Sequence, residues 1–145
     1  MNGRVLIIAG SDSGGGAGVQ ADIKSVTALG GFAATAITAL TAQNTVGVHD
    51  VFPVDVDFIQ KQMRVVLDDI SADSLKTGML HSSDVIEAVC AVIETEDAGI
   101  PLVVDPVMVA KGGASLLDTD SVTTLRDRLL PLARVITCLL YTSDA

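Results

Sequence analysis

The chain has few of the residues that mark a disulfide framework or a metal site. It contains no tryptophan, one tyrosine and two cysteines. Cys90 and Cys138 lie far apart in the sequence and lack the spacing of metal ligands, which argues against a zinc motif and a disulfide scaffold. Neither His49 nor His81 has a ligand-type residue four positions further on, so we expect no metal role for either.

Positive charge is also scarce. Nine Lys and Arg residues stand against eighteen Asp and Glu residues, which gives a formal net charge of −9 at pH 7. Proteins that bind nucleic acid need clustered basic residues, and those of this chain are scattered, so no nucleic-acid partner is predicted. Binding of a small anionic ligand stays possible, because backbone N–H groups, helix N-termini and Mg²⁺ can bind phosphate in an acidic protein.

Long hydrophobic runs are absent, although 49% of the residues are apolar and the mean hydropathy is +0.52. No run approaches the ~20 residues that cross a bilayer, so no membrane partner is predicted. A strand-like run begins within the first few residues, without the regions of a signal peptide, and we therefore expect a cytoplasmic protein. A length of 145 residues suits one domain with a core.

Apolar runs rich in β-branched residues alternate with segments of helical periodicity. The runs are solid, which is typical of strands in a parallel sheet covered on both faces, and the pattern predicts an α/β fold. Asp57 and Gln60 resemble a helix-capping box. The predicted strands are Val5–Ala9, Ala33–Leu40, an extended Val46–Val54, Ser74–Thr77, a run within Pro101–Asp105 and Arg134–Thr137; the predicted helices are Gly18–Leu29, Asp57–Ile70, Ser82–Glu96 and Asp120–Leu130.

Small and polar residues follow four of the predicted strands, where ligands bind in open α/β sheets. Each has an ordinary alternative: Gln43 and Asp105 could form turns, methionines could fill the core, and Asp22 could lie on a solvated helix face. Their shared position at strand ends favours one small-molecule pocket. The strand-end residues are Gly10, Ser11 and Asp12; Thr41, Gln43 and Asn44; Gly78 and Met79; and Asp105 to Met108 followed by Lys111-Gly112-Gly113.

The segment "GSDSGGGAG", residues 10–18, lies between a predicted strand and a predicted helix. A nucleotide-binding P-loop needs Lys and Ser/Thr where Gly16 and Ala17 stand, and a dinucleotide fingerprint beginning at Gly14 needs glycine where Val19 stands. Both are rejected. We expect a loop whose N–H groups point inward and whose backbone closely approaches something at the start of the first helix.

Five blocks, in order along the chain, resemble the hydroxymethylpyrimidine/phosphomethylpyrimidine kinase family of thiamine biosynthesis. They are "IIAGSDSGGGAGVQADIKSVTALGGF", "ITALTAQNT", "KTGML", "VVDPVMVAKGG" and "LLDTDSVTTLRDRLLPLA". The resemblance implies a ribokinase-like three-layer α/β fold with a mostly parallel central sheet. It also implies ATP-dependent phosphorylation of 4-amino-5-hydroxymethyl-2-methylpyrimidine and then of its monophosphate, with Mg²⁺. Vitamin B6 kinases of the same superfamily share the "DPVM" block and are the nearest alternative, and a non-catalytic small-molecule binding module is another.

The resemblance assigns roles to individual residues. Gln43 matches a glutamine that hydrogen-bonds the pyrimidine ring and its amino group, and a carboxamide does offer one donor and one acceptor side by side. Asp105 matches an acidic residue near the metal and the phosphates. The glycine loop is expected to surround the phosphoryl acceptor rather than the nucleotide. The positions expected to surround or orient the substrate are Gly10, Asp22, Met79 and Val107.

The sequence departs from the family pattern near its end, so residues 1–137 are interpreted as the N-terminal part of one kinase domain. After "VIT" the family continues through an ATP site and a "GTGC"-like turn that carries the catalytic groups, so no catalytic residue is predicted here. Residues 138–145, "CLLYTSDA", resemble translated adapter sequence and are interpreted as a non-family tail. We expect a fold truncated after about half the domain, an inactive and aggregation-prone fragment, and a homodimer only for the full-length protein.

Overall fold

The structure, a computed structural model, describes residues 2–96, 99–108, 117 and 119–137. Three features from the sequence analysis lie outside the described residues: Lys111-Gly112-Gly113, Cys138 and the tail 138–145.

Strands and helices alternate along the chain, as the sequence predicts. After α4 the chain continues through a π-helical turn, Leu125–Leu129, and a 3₁₀ turn, Leu130–Leu132. No helix in the described residues is both long enough and apolar enough for a membrane span. The elements are β1 (Arg4–Ala9), α1 (Gly18–Ala28), β2 (Phe32–Ile37), β3 (Ala39–Gln43), β4 (Val48–Pro53), α2 (Val56–Asp69), β5 (Ser74–Thr77), α3 (Ser83–Thr95), β6 (Leu102–Val104), α4 (Thr119–Thr124) and β7 (Val135–Ile136).

Five strands form a parallel sheet in the order β2-β1-β5-β6-β7. The chain leaves β1 toward β2 on one side and then returns to β5 on the other, so the strand order reverses between β1 and β5. Such a reversal opens a crevice at the carboxyl ends of the two strands. The two remaining strands, β3 and β4, form a separate antiparallel hairpin.

Helices cover both faces of the sheet because successive strand side chains point to opposite sides. Leu6 and Ile8 of β1 belong to a large core formed with α2, α3 and the α4 region. Ile7 and Ala9 belong to a smaller cluster with Val19 of α1. All four β1 side chains are buried, which explains why β1 is apolar without alternation.

The prediction of a single strand over Ala33–Leu40 is wrong. The segment is divided at Thr38 into β2, which belongs to the parallel sheet, and β3, which belongs to the hairpin. The Thr38 N–H donates to the Ala9 carbonyl at 3.1 Å, and its hydroxyl donates to the Met79 carbonyl at 2.7 Å. These bonds join residues far apart in the sequence and turn the chain at Thr38. The sequence of Ala33–Leu40 contains no turn residue that would have indicated the break.

The predicted capping box at Asp57 is also displaced. Helix α2 begins at Val56, and its N-cap is Asp55, whose carboxylate accepts the N–H of Phe58 at 3.2 Å. Asp57 lies in the first turn, where a negative charge still favours the helix N-terminus. Asp55 and Asp57 are both of a residue type that caps helices, so the sequence alone did not show which of them is the N-cap.

Candidate functional site

A cavity of about 300 Å³ lies at the carboxyl ends of β1, β5 and β6, beside the start of α1 and under the β3–β4 hairpin. This is the crevice that the reversal of strand order creates. The six residues proposed from the sequence as substrate or metal contacts all line it, namely Gly10, Asp22, Gln43, Met79, Asp105 and Val107. Their roles as binding residues stay predictions, but their convergence on one concave surface is a property of the fold.

Three of the described strand-end residues do not line this cavity, namely Asn44, Pro106 and Met108. Met108 is 36% exposed and lies outside the wall, although Val107 beside it lines the cavity. The Asn44 side chain accepts N–H bonds from Val46 and Gly47, at 2.9 and 3.1 Å, and so forms the hairpin turn. The turn interpretation therefore fits Asn44, whereas Gln43 faces the cavity.

A cation joins two carboxylates in the cavity wall. The Lys76 ammonium, on β5, lies 2.7 Å from the Asp22 carboxylate on α1 and 3.9 Å from the Asp105 carboxylate after β6. The side chains of Lys76 and Asp22 are only 20% and 24% exposed, whereas that of Asp105 is 41% exposed. Burial raises the pKa of Asp105 above its usual value, Lys76 opposes the rise, and the Asp22 charge adds to it.

The glycine loop, residues 10–18, binds a carboxylate of its own chain. Buried Asp12 accepts the N–H groups of Gly14, Gly16 and Ala17 at 2.8–2.9 Å, and its carbonyl accepts that of Gly15. Ala17 is the N-cap of α1 and provides no capping side chain, so Asp12 supplies the negative charge at that helix N-terminus. The predicted inward N–H groups are present at these positions, but they bind Asp12 and so are already paired.

Two glycines allow the loop to pack against the cavity floor. A Cβ on Gly10 would overlap the Met79 side chain, so Gly10 lets that thioether cover the strand end. Gly18 has φ +56°, and a Cβ there would lie 2.5 Å from the Gly10 carbonyl oxygen. That carbonyl accepts the Val19 N–H at 3.0 Å, so the close approach ties the start of α1 to the end of β1.

Gln43 reaches the cavity from the hairpin. A register shift between Ala42 and Gln43 makes a bulge at this point, and bulges redirect side chains. The Gln43 carboxamide oxygen lies 3.3 Å from the Thr41 hydroxyl, which also donates to the Ser11 carbonyl at the shorter distance of 2.8 Å. A hydroxyl has a single proton, so the carboxamide keeps hydrogen-bonding capacity for a ligand.

Sequence reasoning missed Lys76 at this site, and it named Ser11 and Asp12 only as strand-end residues, without the roles that the structure gives them. Lys76 is a charged residue between buried Leu75 and buried Thr77 of β5, and a charge in such a place indicates a partner or a ligand. Asp12 and Ser11 stand in a glycine-rich loop, where the pattern of glycines drew attention to the backbone instead. The signal for Asp12 is its position two to five residues before glycine and alanine N–H groups, which is typical of side chains that cap turns.

No group of three or more His, Cys, Asp or Glu side chains within the described residues is arranged to hold a metal ion. Mg²⁺ in phosphoryl-transfer sites commonly takes one or two carboxylates and completes its shell with phosphates and water. Partly exposed Asp105 fits such a role as a single carboxylate. Asp22 does not, because its charge is directed to Lys76.

Comparison with protein families gives one clear match. A sequence model described as phosphomethylpyrimidine kinase matches residues 12–142. The hydroxymethylpyrimidine/phosphomethylpyrimidine kinase of Bacillus subtilis (strain 168) is 52% identical over 134 residues. That alignment covers 92% of this chain and 49% of the relative, so the chain spans about half the length of this curated protein.

Solved structures give the same fold. The phosphomethylpyrimidine kinase of Clostridium difficile 630 superposes with a TM-score of 0.86 at 42% identity, covering 92% of this chain and 57% of the other. A Bacillus subtilis pyridoxal kinase, solved as an ADP complex, gives a TM-score of 0.83 at 40% identity, covering 97% of this chain and 53% of the other. The predicted ribokinase-like α/β fold with a mostly parallel sheet is thereby confirmed.

Proposed function

The chain belongs to the phosphomethylpyrimidine kinase family, and from that premise we propose that its cavity is the phosphoryl-acceptor site of a hydroxymethylpyrimidine/phosphomethylpyrimidine kinase. The proposed reaction is ATP-dependent phosphorylation of 4-amino-5-hydroxymethyl-2-methylpyrimidine and of its monophosphate, in thiamine biosynthesis. Residues 1–137 are proposed to be the N-terminal part of that kinase domain.

The observation that carries the proposal is the convergence of six residues from separate blocks on one cavity. Its volume, about 300 Å³, is at the lower end of the ~300–1,000 Å³ range of small-molecule sites. A cavity of that size suits a single substituted ring better than a ring together with a nucleotide. The acceptor is therefore the ligand that the described residues fit.

The cavity offers the chemistry that an aminopyrimidine requires. Gln43 presents a carboxamide donor and acceptor, which pair with a ring nitrogen and the adjacent amino group. Met79 and Val107 contribute apolar surface for the faces of a flat ring. The charged residues Asp22, Lys76 and Asp105 lie together in the wall, and we propose that the hydroxymethyl group points toward them.

Two further components follow from the family. ATP would supply the phosphoryl group, and Mg²⁺ would neutralise phosphate charge during transfer. Asp105 would hold the metal as one carboxylate ligand, which agrees with its partly exposed position. A cytoplasmic location and a homodimer of the full-length protein remain predictions.

The second candidate function is phosphorylation of pyridoxal, favoured by the structural likeness to the Bacillus subtilis pyridoxal kinase. Both substrates are flat heteroaromatic rings with a hydroxymethyl group, so shape alone separates them poorly. The 4-amino group distinguishes them, because pyridoxal has no amino group to pair with the Gln43 carbonyl. Gln43 therefore favours the pyrimidine.

The first prediction concerns Gln43. We expect the chain to bind 4-amino-5-hydroxymethyl-2-methylpyrimidine more tightly than pyridoxal in isothermal titration calorimetry. Gln43→Ala should weaken pyrimidine binding by at least about fivefold, since a lost donor–acceptor pair costs ~1–3 kcal/mol. Lys61→Ala, on the exposed face of α2, is the matched control and should bind as the unchanged chain does.

Phosphoryl transfer is tested by joining this chain to the complementary half of the Bacillus subtilis relative and measuring ADP release with ATP and Mg²⁺. Release that depends on the pyrimidine supports the kinase. Pyrimidine binding without any release would favour a non-catalytic binding module. Tighter binding of pyridoxal, or equal binding by Gln43→Ala, would contradict the proposal.

A further inference from the structure

The β3–β4 hairpin carries Gln43 but is not part of the main sheet. Its strands pair only with each other among the strands of the described residues. At its base, the Thr38 N–H donates to the Ala9 carbonyl and the Thr38 carbonyl accepts the Val54 N–H, each at 3.1 Å. These bonds hold the base of the hairpin, and Gln43 lies five residues beyond it. Something else must set the position of Gln43 over the cavity.

The glycine loop provides that second attachment. Its residues bond to alternate positions of β3, in the manner of a neighbouring strand. The Ser11 N–H donates to the Ala39 carbonyl at 2.8 Å, and the Ser11 carbonyl accepts the Thr41 hydroxyl at 2.8 Å. The Ser11 hydroxyl accepts the Thr41 N–H at 3.2 Å. Side-chain oxygens thus replace part of a backbone ladder.

The last contact of this series is to Gln43 itself. The Ser13 hydroxyl accepts the Gln43 N–H at 2.8 Å and donates to the Gln43 carbonyl at 2.7 Å. One hydroxyl therefore satisfies both backbone polar groups of the residue whose side chain faces the cavity. Gly14 adds a close approach, since a Cβ there would lie 3.4 Å from the Gln43 carbonyl oxygen.

Ser13, which forms the loop side of the contact with Gln43, is itself held in place by its neighbours. Ser13 is next to Asp12, whose carboxylate holds the N–H groups of Gly14, Gly16 and Ala17. The Asp12 N–H in turn donates to the Gln20 side chain of α1 at 2.8 Å. The Ser13 hydroxyl thus links this loop directly to the backbone of Gln43, two positions beyond the Ser11–Thr41 bonds.

We propose that Ser13 is a positioning residue for Gln43, and that it determines how well the cavity discriminates a ring with an amino group from one without it. This inference rests on the proposed function, in which Gln43 hydrogen-bonds the amino group of the ring. Ser13 is exposed and does not line the cavity, so it acts through Gln43 and not by touching the ligand.

The experiment compares Ser13→Ala with Ser13→Thr, which keeps the hydroxyl, and with Ser25→Ala as the matched control. Ser25 is also an exposed serine, and its hydroxyl donates to the Ala21 carbonyl within α1. Calorimetry measures binding of 4-amino-5-hydroxymethyl-2-methylpyrimidine and of the same ring without the 4-amino group. Amide hydrogen exchange is followed at Gln43 and at buried Ile7 of β1.

In the unchanged chain the amino ring should bind more tightly than the ring without it. Ser13→Ala should reduce that preference about threefold to tenfold, the value of one hydrogen bond, and should speed exchange at Gln43 but not at Ile7. Ser13→Thr and Ser25→Ala should retain both properties. A structural defect would instead weaken both ligands equally and also speed exchange at Ile7.

Failure of this inference differs from failure of the proposed function. If the unchanged chain prefers the amino ring and Ser13→Ala keeps that preference in full, the positioning role is wrong and the proposed function stands. Equal losses in Ser13→Thr and Ser13→Ala would also overturn it, because the hydroxyl would then be irrelevant. If the unchanged chain shows no preference for the amino ring, the proposed function fails and the inference fails with it.

Discussion

At the scale of single residues, Lys76 is the most informative side chain of the site. It is the one cation that lines the cavity within the described part of the chain, and it lies between Asp22 and Asp105. Its ammonium offsets two carboxylates that would otherwise repel each other in a partly buried wall. Its contribution to stability should therefore exceed that of an exposed ion pair.

The prediction is that Lys76→Met destabilises the chain by an amount between the ~1 kcal/mol of exposed pairs and the ~3–5 kcal/mol of fully buried ones. Urea denaturation followed by circular dichroism measures it. The double variant Lys76→Met with Asp22→Asn should recover part of the loss, because the uncompensated charge is then removed. Arg126→Met is the control, since the Arg126–Asp127 pair is 66% and 55% exposed. An equal effect of the two single variants would contradict the special role of Lys76.

The cavity residues were predictable from sequence to the extent that strand ends were predictable. Asp105 directly follows β6, and Met79 is the second residue after β5. The carboxyl ends of parallel strands meet on the same side of the sheet. Lys76 was not predicted, because its partners lie 54 and 29 positions away in the chain. Only the fold shows that Asp22 and Asp105 face it.

At the scale of elements, the glycine loop joins β1 to α1 through one close contact. Gly18 adopts φ +56° and leaves no room for a Cβ next to the Gly10 carbonyl. Both the left-handed conformation and the contact oppose any larger residue. The loop geometry, and with it the floor of the cavity, therefore depends on glycine at this position.

We predict that Gly18→Ala lowers the free energy of unfolding by at least ~1–3 kcal/mol, the cost of a strained left-handed residue before the steric overlap is added. Gly16→Ala is the matched control in the same loop. A Cβ on Gly16 would meet only the Asp12 carboxylate, at an ordinary 3.8 Å, so its effect should stay within ~0.5 kcal/mol. Similar losses in both variants, measured by urea denaturation, would contradict this account.

Element boundaries were predictable where the cause was local. Strand β5 matches its predicted bounds, Ser74–Thr77, because Gly78 directly follows it and ends the strand. The division between β2 and β3 was not predictable, because Thr38 turns the chain through bonds to Ala9 and Met79. The hydrogen bonds between the glycine loop and β3 were not predicted for the same reason, since they join residues far apart in the sequence.

At the scale of the whole molecule, an ion pair joins the amino ends of β1 and β5, at the end of these strands opposite to the cavity. The Arg4 side chain, at the start of β1, donates to the Asp73 carboxylate at 2.9 and 3.1 Å and to the Ile70 carbonyl at 2.7 Å. The Arg4 N–H also donates to Asp73, at 2.7 Å. These bonds to Arg4 lower the pKa of Asp73 to about 2. The pair connects the chain before β5 with the first strand.

The sign of the resulting pH dependence follows from that pKa. The folded value, about 2, lies below the ordinary value of 3.8, so the stabilisation is present above pH ~4 and is lost as the pH falls toward 2. We predict that the urea midpoint of the unchanged chain exceeds that of Asp73→Asn at pH 7, and that the difference shrinks between pH 4 and pH 2. The pair is partly exposed, so the effect should be small and should weaken in high salt. A difference that stays constant with pH would contradict it.

The α/β fold was the most predictable property of the molecule. The run Val5–Ala9 of β1 is apolar at every position because α1 covers one face of the sheet and the other helices cover the opposite face. Alternation of such runs with helices leaves few architectures to consider. An extended Val46–Val54 was predicted but the separate hairpin was not, because Leu40 and Phe52 are exposed and the strands therefore lack the buried pattern.

The Asp12 carboxylate is a covalently attached partner for the N–H groups of the glycine loop. It is tethered two to five residues from the amides that it serves, so its effective concentration there is set by chain length and cannot be diluted. Free phosphate or sulfate must compete for these N–H groups with the Asp12 carboxylate, which belongs to the same loop. The loop can therefore keep one shape through any change in the anion content of its medium.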